Sequence, residues 1–319
     1  MCIKRLFERE YYLHSAGELD AVSFRATYRE LKRLIRHGPL YPWRRYIGPE
    51  RILNTQAIRT EIEGQVTVCV LTSRKDWQAC LWSLVSFYEL SGLRLPLLVL
   101  SDGTLEEGHI RHLARVFPDA RILDSTAGGV AVSNAISGFP NCMRFRSANV
   151  LARKIIDLPI LCGSPSILML DSDILFLKRP EELMNRLDSN RRGRFVFLRD
   201  FQDAYYPSRS DINRTFNVDI APLVNTGIMF ADVSNFEYAK LEHWLGHLDV
   251  QNHPWAEQTL WAMYAGLDRT DFLGSEYDVT MSPHLESDTA VKHYIGPIRD
   301  FMYTEGIPFV ERQLEAIGH

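Results

Sequence analysis

The sequence lacks the marks of several protein classes. Its longest apolar runs, such as 93–100, fall far short of the roughly 20 residues that span a bilayer. The opening Met1-Cys2-Ile3-Lys4-Arg5 leads into Glu8, Arg9 and Glu10, without the apolar stretch or small-residue cleavage site of a secretory signal. There are only five cysteines, at positions 2, 69, 80, 142 and 162, and none forms a Cys-x-x-Cys pair. They read as reduced thiols, some buried in the core, in a reducing compartment. Positive charge is not in excess either. A net charge of -4 gives no reason to expect general nucleic-acid binding, which needs a clearly basic surface. No internal repeat or low-complexity tract is present. A cytoplasmic protein is the expectation.

What is present fits a globular α/β protein. With 319 residues and 46% hydrophobic content, the chain can bury one large α/β domain or two small ones. Charge is unevenly placed: residues 1–60 hold twelve Lys/Arg and six Asp/Glu, a local +6 that leaves -10 for the remainder. Within 21–37, Phe24, Tyr28, Leu31 and Ile35 recur at helical spacing while Arg25, Arg29, Lys32, Arg33 and Arg36 take other faces. Gly38-Pro39 stops this helix, and 40–59 reads as an irregular lead-in. The pattern predicts a basic helical extension over 1–60, packed on a catalytic domain over 61–319. Residues 21–45 also fit a basic amphipathic surface for anionic lipid or an acidic acceptor.

From Gln65 onward strands and helices alternate. Residues 66–71 (VTVCVL) and 95–100 read as strands buried on both faces, 121–123 as a short third, and 77–90 and 105–116 as helices between them. Gly128, Gly129, Gly138 and Pro140 mark a longer loop before a helix at 147–156. The alternation predicts βαβ units and a largely parallel sheet. Residues 166–170 form the next strand, followed by Asp171-Ser172-Asp173 and a further apolar stretch. Pro180, Glu181 and Glu182 then open a helix. Residues 195–198 read as another apolar strand, and 225–231 as a small-residue segment running into a strand. The aromatic stripe Trp244, Trp255, Trp261 and Tyr264 reads as core.

The acidic pair carries the chemistry. Residues two apart on an extended chain face the same side, so Asp171 and Asp173 converge while Ser172 points away. Two carboxylates leaving an apolar strand repel each other and lose hydration, and a divalent cation compensates. Hard oxygen ligands suit Mg²⁺ or Mn²⁺, and such a cation can bridge the phosphates of a nucleoside-diphosphate sugar.

The run 167–180 (ILMLDSDILFLKRP) resembles the donor-binding segment of glycosyltransferases with the GT-A fold, in particular those of family 8. Four further segments follow that family's order. Arg153 and Lys154 resemble its basic helix beside the donor. Asn225-Thr226-Gly227 resembles its sugar-binding Asn-Ser/Thr-Gly, and Glu257-Gln258 its Asp-Gln pair near the transferring sugar. His293 to Arg299 matches His-x-x-Gly-x-x-Lys, in which the His is a third metal ligand and the Lys contacts the diphosphate. The resemblance spans roughly residues 65–300.

It implies a GT-A fold with a mostly parallel sheet, and a metal-dependent transfer of a hexose from a nucleotide sugar, best UDP-linked, with retention. Asp171, Asp173 and His293 would hold Mn²⁺ or Mg²⁺. Thr72, Ser73, Arg74, Asp102, Ser172, Arg153 and Lys154 would line the donor. Asn225, Thr226 and Gly227 would meet the sugar, Gly296 would let the backbone approach phosphate, and Arg299 would neutralise the leaving group. Gln258, Glu257 and Asp200 would lie near the reacting centre. Four positions depart from the pattern, one being Asp300-Phe301 where Pro-Trp often follows the final Lys. Thr72-Ser73-Arg74 stands where an Asp for the nucleobase is usual, Glu257 replaces Asp, and Arg299 replaces Lys. Two other readings stay open: a haloacid-dehalogenase-like phosphatase built on Asp171 and Asp173, and a nucleotide-sugar-binding protein without turnover.

Overall fold

The computed structural model describes residues 28, 30–124, 127–188 and 194–318. In chain order the strands are β1 Val66–Thr72, β2 Leu97–Ser101, β3 Arg121–Leu123, β4 Ser166–Leu170, β5 Ile174–Phe176, β6 Arg194–Arg199, β7 Val224–Asp232, β8 Arg269–Phe272, β9 Tyr277–Asp278 and β10 Val291–His293. Seven form one sheet in the order β3-β2-β1-β4-β7-β6-β8, and β5-β10-β9 form a second. The large sheet is mostly parallel; β7 runs antiparallel to both its neighbours, β4 and β6.

The strands are apolar throughout because both faces are covered. Side chains alternate along each strand. Val66, Val68, Val70, Leu168 and Leu170 therefore enter one apolar cluster, while Cys69, Ile167 and Met169 enter the other. The helices that cover the faces are α1 (30–37), α2 Tyr41–Tyr46, α3 Trp77–Ser91, α4 Glu107–Val116, α5 Ala127–Ala135, α6 Pro140–Ala148, α7 Ala152–Leu161, α8 Glu181–Asp188, α9 Arg209–Phe216, α10 Tyr238–His247, α11 Ala256–Ala265 and α12 Ile307–Ala316. Short helical turns over 296–306 precede α12. Among the described residues no helix is long and apolar enough to cross a membrane. Cys69, Cys80, Cys142 and Cys162 are buried free thiols, as expected, and burial pushes that of Cys80 up to about 12.

Several local expectations are corrected. The stretch expected as a loop after Gly128 holds α5 and the start of α6. The helix expected over 147–156 is two helices, because Asn149 breaks it: its Oδ1 accepts from the Leu151 N–H at 3.0 Å and its Nδ2 donates to the His253 carbonyl at 3.1 Å. The lead-in over 40–59 is ordered as α2 and a 3₁₀ turn, Gly48–Asn54, anchored by the buried Ile52 and by the Trp82 indole donating to the Pro49 carbonyl at 3.0 Å. Of the aromatic stripe, Trp244, Trp261 and Tyr264 are core, whereas Trp255 is exposed. Phe24, Arg25 and Arg29 lie outside the described residues.

The crossing from β4 to β5 positions the site. Asp171-Ser172-Asp173 carries the chain from the large sheet to the small one. There β10 runs antiparallel to β5 with His293 opposite Ile174, and the Tyr294 N–H donates to the Asp173 carbonyl at 2.8 Å. Alternation turns the neighbouring Lys292 the other way. It is fully buried, with its ammonium on Asp278 and on the Thr280 carbonyl at 3.3 Å. Removing one member of a buried ion pair leaves the other charge uncompensated. Lys292→Met should therefore cost about 3–5 kcal/mol, read as a lowered urea midpoint; an unchanged midpoint would show that β10 is held by its backbone ladder alone.

Candidate active site

The ends of adjacent strands bring the predicted residues together. The parallel strands β1, β2 and β4 deliver Thr72, Ser101 and Asp171 to one edge of the sheet, where open α/β sheets bind ligands. One ligand atom from each of Asp171, Asp173 and His293 lies within 4.8 Å of the other two. His293 Nε2 is 3.3 Å from Asp173 Oδ1 and 3.9 Å from Asp171 Oδ2.

Hydrogen bonds orient the imidazole. Asn225 Nδ2 donates to Asp200 Oδ2 at 2.9 Å, and Asn225 Oδ1 accepts from the Gly227 N–H at 2.9 Å, which fixes the amide. Asn225 Oδ1 also lies 3.1 Å from His293 Nδ1, so that nitrogen carries the hydrogen. His293 Nε2 is thereby aimed at the carboxylates, with a proton toward Asp173 or a lone pair toward a cation held between them. Gly227 makes room for this arrangement: a Cβ there would meet the His293 ring at 2.4 and 2.5 Å.

The cluster is short of positive charge. Four carboxylates, Asp76, Asp171, Asp173 and Glu257, face two permanent cations, Lys154 and Arg299. Lys154 is 5% exposed, pairs with Asp171 and lies 4.0 Å from Glu257. Burial works against its ammonium, but Asp171 and Glu257 raise its pKa above the ordinary lysine value. Burial pushes the Glu257 carboxyl up to about 7, with Asp171 adding to the shift and Lys154 and Thr226 opposing it. Burial would also raise Asp173, yet the hydrogen bond and charge of His293, with Arg299 and Lys154, hold it down at about 2. Two oxygens, one nitrogen and a charge deficit fit a hard divalent cation.

Within the cluster, two buried side-chain atoms make no hydrogen bond: Arg299 Nε, which lies 3.6 Å from Asp173 Oδ2, and Glu257 Oε1. Arg299 Nη2 is held by Asp76 Oδ1 at 3.1 Å, and Glu257 Oε2 accepts from the Thr226 hydroxyl at 3.2 Å. Such groups are expensive in the absence of a partner, which is how a preformed site meets a ligand.

The remaining predicted residues divide. Gln258 joins the cluster, its Oε1 accepting from the Thr226 N–H at 3.2 Å and its Nε2 donating to the Ala204 carbonyl at 3.1 Å. Ser172 is buried and donates to the Leu71 carbonyl at 3.4 Å and to Thr72 Oγ1 at 3.3 Å. Arg153 reaches the Ser101 carbonyl at 3.0 Å, and the Asp102 carboxylate forms a local turn with Thr104. Ser73 donates to Asp76 at 3.0 Å. Arg74 points outward to Glu106 at 3.1 Å and is not part of the cluster. Gly296 has φ +34 and open space around it. The residue missed in the sequence is Asp76. It is the first acid after β1 and stands immediately before α3, one helical turn beyond the Thr72-Ser73-Arg74 positions where an acid was sought.

No protein-family model matches the chain, and no curated protein sequence matches it. Solved structures do. Galactosyltransferase LgtC, in complex with donor and acceptor sugar analogues, aligns at 14% identity over 79% of this chain and 96% of that one, with a TM-score of 0.53. An active-site mutant of LgtC aligns at 13% identity over 75% and 95%, with a TM-score of 0.50. Mouse xyloside xylosyltransferase 1 in its apo form aligns at 14% identity over 72% and 98%, with a TM-score of 0.49. The LgtC likenesses show that this chain has the GT-A fold, as its sequence implied, and a dehalogenase-like reading finds no support in that fold.

Gly227→Ala tests the geometry without any ligand. The new methyl must push the His293 ring aside, at a cost of about 1–3 kcal/mol for overpacking. The expected result is a lowered unfolding midpoint together with a shifted His293 Cε1–H resonance. An unshifted resonance would mean that the ring does not lie on Gly227.

Proposed function

We propose that the chain is a metal-dependent glycosyltransferase, similar to family 8, that moves a hexose from UDP-hexose to an acceptor with retention. On this reading residues 61–319 form the catalytic domain, residues 1–60 are its extension, and the protein is cytoplasmic. The observation that carries the proposal is the convergence of Asp171, Asp173 and His293 within 4.8 Å at the sheet edge of a GT-A fold, in a cluster with more carboxylates than permanent cations.

Asp171, Asp173 and His293 would hold Mn²⁺ or Mg²⁺. Bound there, such an ion supplies charge neutralisation for a departing diphosphate. The chain's own residues supply the rest. Arg299, clamped by Asp76 and facing Asp173 Oδ2 through Nε at 3.6 Å, makes no hydrogen bond at that Nε–H, and its planar fork suits a phosphate oxygen better than the family's Lys. Lys154 holds Asp171 in place and adds a second positive charge to the phosphate side. Glu257 offers Oε1 to a sugar hydroxyl. Gln258, fixed at both ends of its amide, keeps one N–H for the reacting sugar. Asn225 is engaged by Asp200, Gly227 and His293, so we assign it and Asp200 to positioning the imidazole beside any contact with the sugar.

The test is nucleoside-diphosphate release from a panel of UDP-, GDP- and ADP-sugars with Mn²⁺, with Asp173→Asn alongside. Release from a UDP-hexose, abolished by chelation and reduced about a hundredfold or more in the variant, is expected, since metal stabilisation of the leaving group is worth several kcal/mol. Metal-dependent donor binding without release, even with acceptor mixtures present, would point to the non-catalytic binder. Neither binding nor release with any donor would sink the proposal.

A further inference from the structure

Helix α1 presents its polar side to the protein. Arg33 Nε donates to Asp300 Oδ2 at 3.0 Å, and the Tyr41 hydroxyl to Asp300 Oδ1 at 2.7 Å. His37 lies against the rings of Tyr41 and Phe301, with centroids 5.1 and 4.6 Å apart. Helical spacing then places Tyr28, Leu31 and Ile35 on the opposite side, where they are 52%, 54% and 78% exposed. Past the turn at Gly38, Leu40 and Trp43 continue this surface at 60% and 42% exposure. Lys32 and Arg36 border the stripe, and with Arg33 and His37 they line an open cavity of about 320 Å³ above Asp300.

We infer that this surface docks on an anionic phospholipid bilayer. A stripe of aliphatic and aromatic side chains with cations along its border is the pattern that seats a helix in the headgroup region, the apolar groups at the acyl boundary and the cations on the phosphates. Charge complementarity favours this occupant. Residues 1–60 carry +6 against -10 in the rest of the chain, so an anionic surface attracts this end and repels the remainder. A second copy of the chain would set Lys32 and Arg36 against their own like charges. The inference does not depend on the glycosyltransferase reading, and its test does not use activity.

Full-length protein should co-float with vesicles of phosphatidylcholine mixed with phosphatidylserine and stay in solution with phosphatidylcholine alone. Leu31→Glu/Ile35→Glu should abolish flotation, and Lys32→Glu/Arg36→Glu should weaken it about tenfold or more, because each cation near an anionic leaflet adds about 1 kcal/mol. Leu31 and Ile35 are exposed, so that variant should keep the wild-type unfolding midpoint. The charge variant also removes the Arg36 guanidinium from the Phe301 ring, 5.0 Å from its centroid, and its flotation is read at a temperature below its own midpoint. Three results would overturn the inference. One is wild-type-like flotation of both variants. Another is a concentration-dependent dimer, dispersed by Ile35→Glu, in protein that ignores both vesicle types. The third is no flotation, with Ile35→Glu lowering the unfolding midpoint; residues 1–27 of the chain would then be the cover of the stripe.

Discussion

Two carboxylates at the end of a buried apolar strand repel each other, and the structure around Asp171 and Asp173 is arranged to answer that repulsion. Lys154 comes up from α7 to one of them, and Arg299 approaches the other from the turns after β10. The chain also changes sheets between them, so that the antiparallel pairing of β5 with β10 brings His293 to the same point. None of these contacts is local in sequence. They depend on the order of the strands in the two sheets, which is why a fold of this topology is needed to hold so concentrated a set of charges.

The same requirement explains the small residue on the facing strand. β7 must pass close enough to β4 for the Asp171 N–H to reach the Gly227 carbonyl at 2.8 Å, while the His293 ring lies on that same backbone. Only a residue without a Cβ leaves space for both. Asn225, two positions earlier and on the same side of the strand, spends its amide on Asp200, on the Gly227 N–H and on His293. A three-residue segment thus serves the imidazole through its backbone as much as through its side chains. Arg299 Nε, which faces Asp173 without a hydrogen bond, and Glu257 Oε1, which has none, are the part of this arrangement that costs stability, and under the proposed function a bound donor would supply their partners.

Much of this was legible in the sequence, because the strands are apolar and short and the acidic triplet interrupts one of them. Strands β1 to β4, β6 and β7, the mixed α/β architecture and the convergence of Asp171, Asp173 and His293 follow from pattern and family resemblance, whereas β8, β9 and β10, two to four residues each and partly polar, do not read as strands. What escaped were contacts made across long separations. Asp76 bonds Arg299 from more than two hundred residues away. Asn149 breaks a helix by hydrogen bonding to the carbonyl of His253, which no local propensity anticipates. The helices α5 and α6 were hidden because Gly128, Gly129, Gly138 and Pro140 are turn formers by composition. In the structure Pro140 opens α6, the one helical position where it is favoured, and Gly128 lets its helix approach Leu161 closely.

The orientation of α1 belongs with these long-range effects. Periodicity alone would turn Tyr28, Leu31 and Ile35 inward, yet the helix is anchored by Arg33 and His37, because Asp300 and Phe301 offer an acceptor and a ring that its apolar side cannot use. A helix this short is marginal in water without such anchors. Its helical form and the turns over 296–306 therefore support each other. Arg44 donates to the Thr304 carbonyl at 3.3 Å and the Arg45 guanidinium lies 4.0 Å from the centroid of the Tyr303 ring, extending the contact along the segment that begins with Arg299. Whatever displaces α1 must act first on Asp300, one residue from the cation that Asp76 and Asp173 hold in the cluster. Helix α1 and the charged cluster are in this sense connected through the half-buried turn at 299–301.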